Sequence, residues 1–318
     1  MRKFQVLLLM GCFGCIAISS KAQDVFYSQY YANRLYLNPA FAGIGNEKRI
    51  FLNFRNQYPR LGSVYNTYTV SYDQFVNKLN GGLGFSLSND VQGSGAMSKM
   101  SFSAMYSYQV RTGRFLSFSG GLQAGGIATI IKANDFELED MSENLSDVTK
   151  IFPDFATGFA AFYKDSYGGI SVFHLLKPYQ SESTLADSRL PRKFTLFAGT
   201  YIPVYEKRLG KRVLQLNPNL IYTLQKNMGQ LVYGLESLYK ESYVVGIWLR
   251  QNIGLKFSAL ILSGGLSLDN IRLRYSYDLQ FSQPSVQIPR MGANEISIII
   301  AFGENKKNKY KTIKCPKF

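Results

Sequence analysis

The chain has 318 residues, of which 46% are apolar, 14% aromatic and only 18% charged, and its formal net charge is +15. Average soluble proteins carry about 25% charged residues, so the predicted surface is poor in charge. The aromatic content excludes a disordered chain, and three cysteines are too few for a disulfide scaffold. After the first 20 residues no run of about 18 apolar residues occurs, which excludes a helical membrane protein. A β-rich protein with an apolar exterior remains.

The N-terminus has the features of a secretory signal peptide, and we assign it to residues 1–22. A basic pair at positions 2 and 3 precedes an apolar run over 6–18. Ser20 and Ala22 supply small residues at the positions that a signal peptidase recognises. We therefore expect the mature chain to begin at Gln23.

Acylation at Cys12 is the alternative processing route. Met10 is bulky for a lipoprotein recognition sequence, so we favour simple cleavage. Cleavage would leave Cys315 as the single cysteine, and we expect neither an internal disulfide nor a thiolate metal site.

Segments in which apolar and polar residues alternate follow along the rest of the chain. In the stretch 271–278, Ile, Leu, Tyr and Tyr alternate with Arg, Arg, Ser and Asp. A period of two predicts strands with one apolar and one polar face. We predict 14 strands, at 47–58, 64–76, 82–89, 99–111, 114–131, 154–164, 167–175, 191–205, 212–225, 229–240, 242–251, 254–268, 270–281 and 294–302.

Connection lengths distinguish a barrel from a soluble β-sandwich, which would alternate in the same way. Long connections follow odd-numbered strands, at 57–63, 89–98, 132–153, 176–190 and 282–293, and tight ones follow most even-numbered strands. Only the short connections after the ninth and eleventh strands break this pattern. Outer-membrane barrels have an even number of strands, short periplasmic turns and long external loops. The sequence therefore predicts an all-β, transmembrane, antiparallel outer-membrane β-barrel with both termini periplasmic and with Tyr and Phe girdles at the two interfaces.

We predict that residues 23–46 form an N-terminal periplasmic segment before a barrel at 47–302 and a Lys-rich periplasmic tail at 303–318. Tyr27, Tyr31 and Leu35 are spaced for a short amphipathic helix, which Asn38-Pro39 should end. The segment either plugs the barrel mouth with its aromatic side chains or binds a partner directly.

Several short motifs resemble the PorP/SprF family of Bacteroidetes outer-membrane proteins. They occur in the family's order across nearly the whole mature chain, although the Lys-rich tail has no counterpart. The motifs are Ser28-Gln29-Tyr30, Leu37-Asn38-Pro39-Ala40-Phe41-Ala42-Gly43, Gly168–Val172 leading to His174-Leu175-Leu176, Leu190–Lys193 and Asn294–Ile298.

This resemblance implies a role in type IX secretion and gliding-linked surface display. Members of the family belong to the core machine or help to export and anchor secreted proteins that carry a C-terminal sorting domain. The alternative function is a channel or transporter for small or hydrophobic solutes. The predicted inward polar residues suit either function.

We expect no enzyme and no cofactor. His174 is the single histidine, and no G-x-S-x-G motif accompanies it, so we interpret it as a structural or interface residue. The glycine pairs 81–82 and 120–121 have no following helix or Lys of a phosphate loop. They indicate bends or close backbone approach.

A cluster of acids marks the predicted external loop 132–153. A solvated loop, a docking face for a basic partner and a calcium site are the three interpretations, and the spacing does not match an EF-hand. The partner-contact candidates here are Asp135, Glu137, Glu139, Asp140, Glu143 and Asp147.

Basic residues are concentrated on the predicted periplasmic side. Six lysines lie in the tail, and Lys207, Arg208, Lys211 and Arg212 surround the turn after the eighth strand. This distribution favours outer-membrane lipid and acidic periplasmic secretion components as partners over nucleic acid. The tail is either a docking segment or a disordered end. Its partner-contact candidates are Lys306, Lys307, Lys309 and Lys311.

Overall fold

The protein, in a computed structural model, is a closed antiparallel β-barrel. The structure describes residues 24, 26–45, 47–59, 65–132, 147–178, 189–207, 211–252, 256–281 and 292–303. Its strand segments are β1 Lys48–Gln57, β2 Asn66–Val76, β3 Gly81–Gln92, β4 Met97–Thr112, β5 Leu116–Ile131, β6 Val148–Tyr163, β7 Ser166–Phe173, β8 Lys193–Thr200, β9 Ile202–Lys207, β10 Lys211–Gln225, β11 Met228–Tyr239, β12 Tyr243–Asn252, β13 Lys256–Ser267, β14 Ile271–Gln280 and β15 Ala293–Phe302.

These segments make 14 barrel strands, as the alternation predicts. β8 and β9 are two parts of one strand, since both pair with β10 in the same register. Pairing of β1 with β15 closes the sheet. The interruption lies at Tyr201, directly after Thr200, which lies opposite Pro218 of β10; proline has no N–H to donate to the ladder. The Tyr201 N–H donates instead to the carbonyl of Asp165 in a neighbouring turn.

The barrel has two unlike ends. At the short-turn end, connections of two to four residues follow β2, β4, β6, β9, β11 and β13. At the long-loop end, the connections 132–147, 174–192 and 281–292 are much longer. The predicted loops 89–98 and 132–153 are shorter than expected, because β3 continues to Gln92 and β6 begins at Val148. Pro153 lies inside β6. In a sequence, a proline argues against a strand at its position, so the predicted strand began only after it.

Side chains alternate between lipid and lumen along each strand. In β14 the outward Ile271 and Tyr275 are exposed, whereas the inward Arg274 and Asp278 are buried. The apolar outer surface and the polar inner surface are thus those of an outer-membrane barrel. Within the described residues no helix is long and apolar enough to cross a membrane.

The N-terminal segment lies inside the lumen, and we call its described residues, 24 and 26–45, the plug. The predicted helix over the tyrosines is wrong: one α-helical turn, α1, covers Arg34–Leu37. It ends before Asn38 as predicted, and a 3₁₀ turn follows over Pro39–Phe41. The earlier part is irregular, because its backbone groups bond to inward side chains of the barrel rather than to one another.

The plug runs the length of the lumen. Asp24 contacts Lys99, His174 and Lys193, which lie near the long-loop end. The segment then descends to Lys48, where β1 starts at the short-turn end. We predicted both termini at one end, but Asp24 and the end of β15 lie at opposite ends of the barrel.

A charge on the lipid face should test the assigned orientation of β12. Ile247 points outward near the middle of this strand, and Ile271 points outward at the short-turn edge of β14. Ile247→Arg should lower the free energy of unfolding by about 2–4 kcal/mol, and Ile271→Arg by about 0–1 kcal/mol. Urea titrations of the protein folded into vesicles measure both values. Equal costs at the two depths would contradict this placement.

Candidate functional site

Glycines of the barrel wall make room for the plug motif 37–43. A Cβ at Gly82 would overlap Ala42, one at Gly121 would overlap Ala40, and one at Gly158 would overlap the side chain of Asn38. A larger residue at any of these inward positions would push the plug off the wall. Close backbone approach is therefore confirmed for Gly82 and Gly121 against the plug and for Gly81 against the neighbouring strand, but not for Gly120.

Inward serines on three strands hold the carbonyl groups of the same motif. The hydroxyl of Ser171 donates to the carbonyl of Leu37 at 2.7 Å, that of Ser119 to Ala40 at 2.7 Å and that of Ser107 to Ala42 at 2.6 Å. These bonds satisfy backbone acceptors that no secondary structure reaches. The wall thus supplies both the space and the hydrogen-bond partners of the motif.

Asn38 joins the plug to two further strands. Its side-chain oxygen accepts from the N–H of Ala40, and its amide donates to the carbonyls of Phe159 and Ile170 at 3.2 and 3.0 Å. Those carbonyls belong to β6 and β7. An aspartate of the same size could not donate these two bonds.

The carboxylate of Asp73 holds the end of the plug that lies nearest the short-turn end of the barrel. The N–H of Gly43 donates to Asp73 at 2.9 Å, and Arg49 donates to the same carboxylate through Nε at 2.8 Å. All three groups are buried. Gly43 has φ +61°, and a Cβ there would touch Gly82, so glycine suits this position in both conformation and space.

Four buried charged side chains surround Ser28 and Gln29 in the half of the lumen nearest the long-loop end. The N–H groups of Ser28 and Gln29 donate to the Glu295 carboxylate at 2.8 and 3.0 Å. The Ser28 hydroxyl donates to Asp278 at 2.7 Å. Arg55 bridges the two carboxylates, with one guanidinium nitrogen 3.0 Å from each.

Arg250 completes this group. Its guanidinium lies 3.1 Å from Asp278 and donates to the Ser28 hydroxyl at 2.6 Å. Two arginines thus balance two carboxylates away from water, which is the condition for keeping buried charges. Removing one partner of such a group typically costs about 3–5 kcal/mol.

Aromatic packing connects the plug to the wall between these two regions. Tyr31 stacks on Trp248 with ring centroids 5.2 Å apart, and Tyr30 hydrogen-bonds to Asn219. Trp248 donates to the same Asn219 at 2.8 Å. Because Trp248 is the single tryptophan of the chain, its fluorescence reports on plug seating.

His174 anchors the start of the plug at the long-loop end. Its Nε2 is 2.6 Å from Asp24, and its Nδ1 is 2.9 Å from Asp154. Burial alone would lower the pKa of His174, but Asp24 and Asp154 raise that pKa above its usual value. Burial would raise the pKa of Asp24, and Lys99, His174 and Lys193 outweigh it and hold this pKa well below its usual value.

The partner-contact candidates from the sequence lie mostly outside the described residues. Of the acids, only Asp147 is described, and it is exposed just before β6 at the long-loop end. Outside the described residues lie Asp135, Glu137, Glu139, Asp140, Glu143, Lys306, Lys307, Lys309 and Lys311.

The structure adds a set of functional residues to which the sequence analysis gave no role. They are the inward residues that hold the plug, and the available signal was a charge or serine on the polar face of a predicted strand. Among the residues in the described ranges, no group of His, Cys, Asp and Glu could hold a metal ion. The added set comprises Arg55, Asp73, Ser107, Ser119, Ser171, Arg250 and Glu295.

Comparison with known proteins gives a family match over most of the chain. The family described as type IX secretion system membrane protein PorP/SprF matches residues 19–299. No curated protein matches the chain. Among solved structures, the Acinetobacter baumannii outer membrane protein Omp33 is 6% identical with a TM-score of 0.47, over 81% of this chain and 100% of that chain.

Two hydrocarbon channels have similar scores. CymD is 11% identical with a TM-score of 0.48, over 85% of this chain and 91% of that chain. The TodX deltaS2S3 mutant is 9% identical with a TM-score of 0.47, over 85% of this chain and 94% of that chain. At such identities the likeness says nothing about function.

Two adjacent glycines offer a test of the plug seat. Leucine at Gly121 would overlap the plug backbone, whereas Gly120 faces open space. Gly121→Leu should lower the free energy of unfolding by about 1–3 kcal/mol through overpacking and should increase acrylamide quenching of Trp248. Gly120→Leu should leave both unchanged. Equal quenching in the two variants would argue against this seat.

The His174 contacts predict a pH dependence. Because the folded pKa of His174 is raised, its contribution to stability is fully present below the unfolded value of about 6.5 and is lost as the pH rises through the folded pKa. The lowered pKa of Asp24 makes its contribution present above about pH 3.9 and lost on strong acidification. The thermal unfolding temperature of the wild type should therefore fall as the pH becomes alkaline.

His174→Gln provides the control for this pH dependence, because glutamine can hydrogen-bond but does not titrate. At about pH 5 the variant should be less stable than the wild type. Between about pH 5 and 9, roughly the range in which histidine titrates, it should lose less stability than the wild type does. An unchanged pH profile would assign the dependence to other groups.

Proposed function

Because this chain belongs to the PorP/SprF family of type IX secretion membrane proteins, we propose that it is a plugged barrel that helps to export, anchor or display one secreted surface protein. That protein is an adhesin or a gliding-related protein, and a C-terminal sorting domain recruits it. Secretion components on the periplasmic side are the other partners.

The filled lumen is the observation that favours this role over diffusion of solutes. The plug backbone is bonded to Ser107, Ser119 and Ser171 on three strands and to Glu295 on a fourth. A diffusion channel needs a water-filled lumen. A partner that docks on a barrel needs a rigid surface, and a filled interior provides rigidity.

The proposed orientation places the long-loop end outside the cell. Short external loops would offer a secreted protein little contact area, and the connections 132–147 and 174–192 are the longest available. The acidic stretch from Asp135 to Asp147 would then face a basic partner. Hydrophilic tags inserted at Ser142 and Ser183 should be labelled on intact cells, and labelling only after lysis would invert the orientation.

Deletion of the gene tests the secretion role. A protein with a C-terminal sorting domain should disappear from the surface proteome of the deletion strain, while other such proteins remain. Surface biotinylation followed by mass spectrometry measures the loss, and wild-type complementation should reverse it.

Conductance provides the matched test of the channel alternative. The full chain should give no steady current in planar bilayers, and a variant without residues 26–45 should conduct. An unchanged surface proteome together with a steady current through the full chain would favour solute transport.

A further inference from the structure

A large cavity opens into the lumen at the short-turn end of the barrel, next to the part of the plug that contains Tyr31 and Phe41. Its volume is about 950 Å³, which is the size of pockets that enclose drug-sized ligands or short peptides. Its buried lining includes Phe162, Tyr201 and Leu238. These three belong to the same hydrophobic cluster as Phe41 and Tyr31 of the plug, so the plug packs behind the floor of the cavity.

The cavity is strongly basic. Seven of its lining residues are Arg or Lys, and three are Asp or Glu. Part of this positive charge is balanced locally: Arg212 forms a bidentate pair with Asp165 at 2.7 and 2.8 Å, and Arg274 contacts Glu236 at 2.7 Å.

The cations at the rim contact aromatic rings as well. Lys164 lies 5.2 Å from the Phe115 ring centre, and Arg114 lies 5.3 Å from the same ring. Lys240 lies 5.1 Å from the ring centre of the adjacent Tyr239. Lys164, Arg114 and Lys240 are all exposed. A ring of charges above an apolar floor favours a ligand that carries both carboxylates and apolar groups.

We infer that this cavity binds an acidic peptide segment of a partner protein. Carboxylates of the segment would pair with Lys164, Arg114 and Lys240 at the rim, and an apolar side chain would reach the floor. Such charge-assisted hydrogen bonds are stronger than neutral ones, and the concave basic wall concentrates anions.

The geometry favours a peptide over a lipid headgroup. The cavity lies inside the closed sheet, so the barrel wall separates a headgroup bound within it from the acyl chains of the bilayer. The Lys-rich stretch after Gly303 starts at this same end, but its positive charge would be repelled by the cavity. The connection 132–147, which carries the acidic cluster, joins β5 to β6 at the opposite end of the barrel.

Binding by this cavity is independent of the secretion role; only the periplasmic source of the segment rests on the proposed function. Loss of peptide binding with normal surface display would reject the cavity alone. Normal peptide binding with an unchanged surface proteome would reject the secretion role alone.

The test uses the purified full chain in detergent and a short labelled peptide in which Glu and Phe alternate. Fluorescence anisotropy should show binding that weakens as salt is raised. The double variant Lys164→Glu with Lys240→Glu should bind at least about tenfold more weakly, since each reversal removes a charged partner. A control peptide has Gln in place of Glu. Wild-type protein should bind this control peptide at least as weakly as the double variant binds the acidic peptide.

A matched double variant at the other end serves as control. Lys177 and Lys226 also have positive φ, near +48° and +53°, as Lys164 and Lys240 do, and they lie at the long-loop end. Lys177→Glu with Lys226→Glu should bind the peptide as wild type does. Heat-modifiable migration on gels shows whether each variant retains its barrel.

Three results would overturn the proposal. Equal weakening in the two double variants would assign binding to net charge, and tight binding of the Gln peptide would assign it to the apolar floor alone. Binding of a soluble short-chain anionic phospholipid in place of the acidic peptide would make the cavity a headgroup site.

Discussion

Burial of an irregular peptide segment inside a barrel imposes the main constraint on this structure. The plug has little secondary structure of its own, so its N–H and carbonyl groups must find partners on the wall. The hydroxyls of Ser107, Ser119 and Ser171 donate to plug carbonyls. The carboxylates of Asp73 and Glu295 accept from plug N–H groups. An unmade bond of this kind costs about 1–3 kcal/mol, which explains why polar residues line the seat so closely.

The charges around Ser28 specify the position of the plug more than they add to stability. Desolvation of buried ions offsets much of their attraction, so an apolar group of equal volume would serve stability as well. An arginine bridging Asp278 and Glu295, however, tolerates one placement of the Ser28 hydroxyl and N–H. Sliding the plug by one residue would break the hydrogen bonds from Ser28 and Gln29 to these carboxylates. The charged group therefore sets the register of the segment in the lumen.

The barrel could be predicted from the sequence because its signals are local. Alternation, turn residues and connection lengths predict the strands to within a few residues, except at β6, which begins before Pro153. The plug could not be predicted in the same way. Its contacts join residues separated by more than 200 positions, such as Ser28 and Glu295, and no period in the sequence reports them. Tyr27, Tyr31 and Leu35 imitate a helical stripe, but their surroundings are barrel side chains.

Inward polarity alone does not distinguish a channel from a plugged barrel. In a water-filled pore, Arg55 and Asp278 would be solvated, and their attraction would be worth about 1 kcal/mol or less. In the filled lumen the same pair is buried and pairs with the plug. The distinguishing features are instead the glycines at positions 82, 121 and 158, because a pore has no need to remove side chains from its wall on the three strands β3, β5 and β6. A wall with glycine where the plug backbone approaches and serine where its carbonyls point is complementary to a peptide, and that complementarity is the physical basis for regarding the barrel as closed.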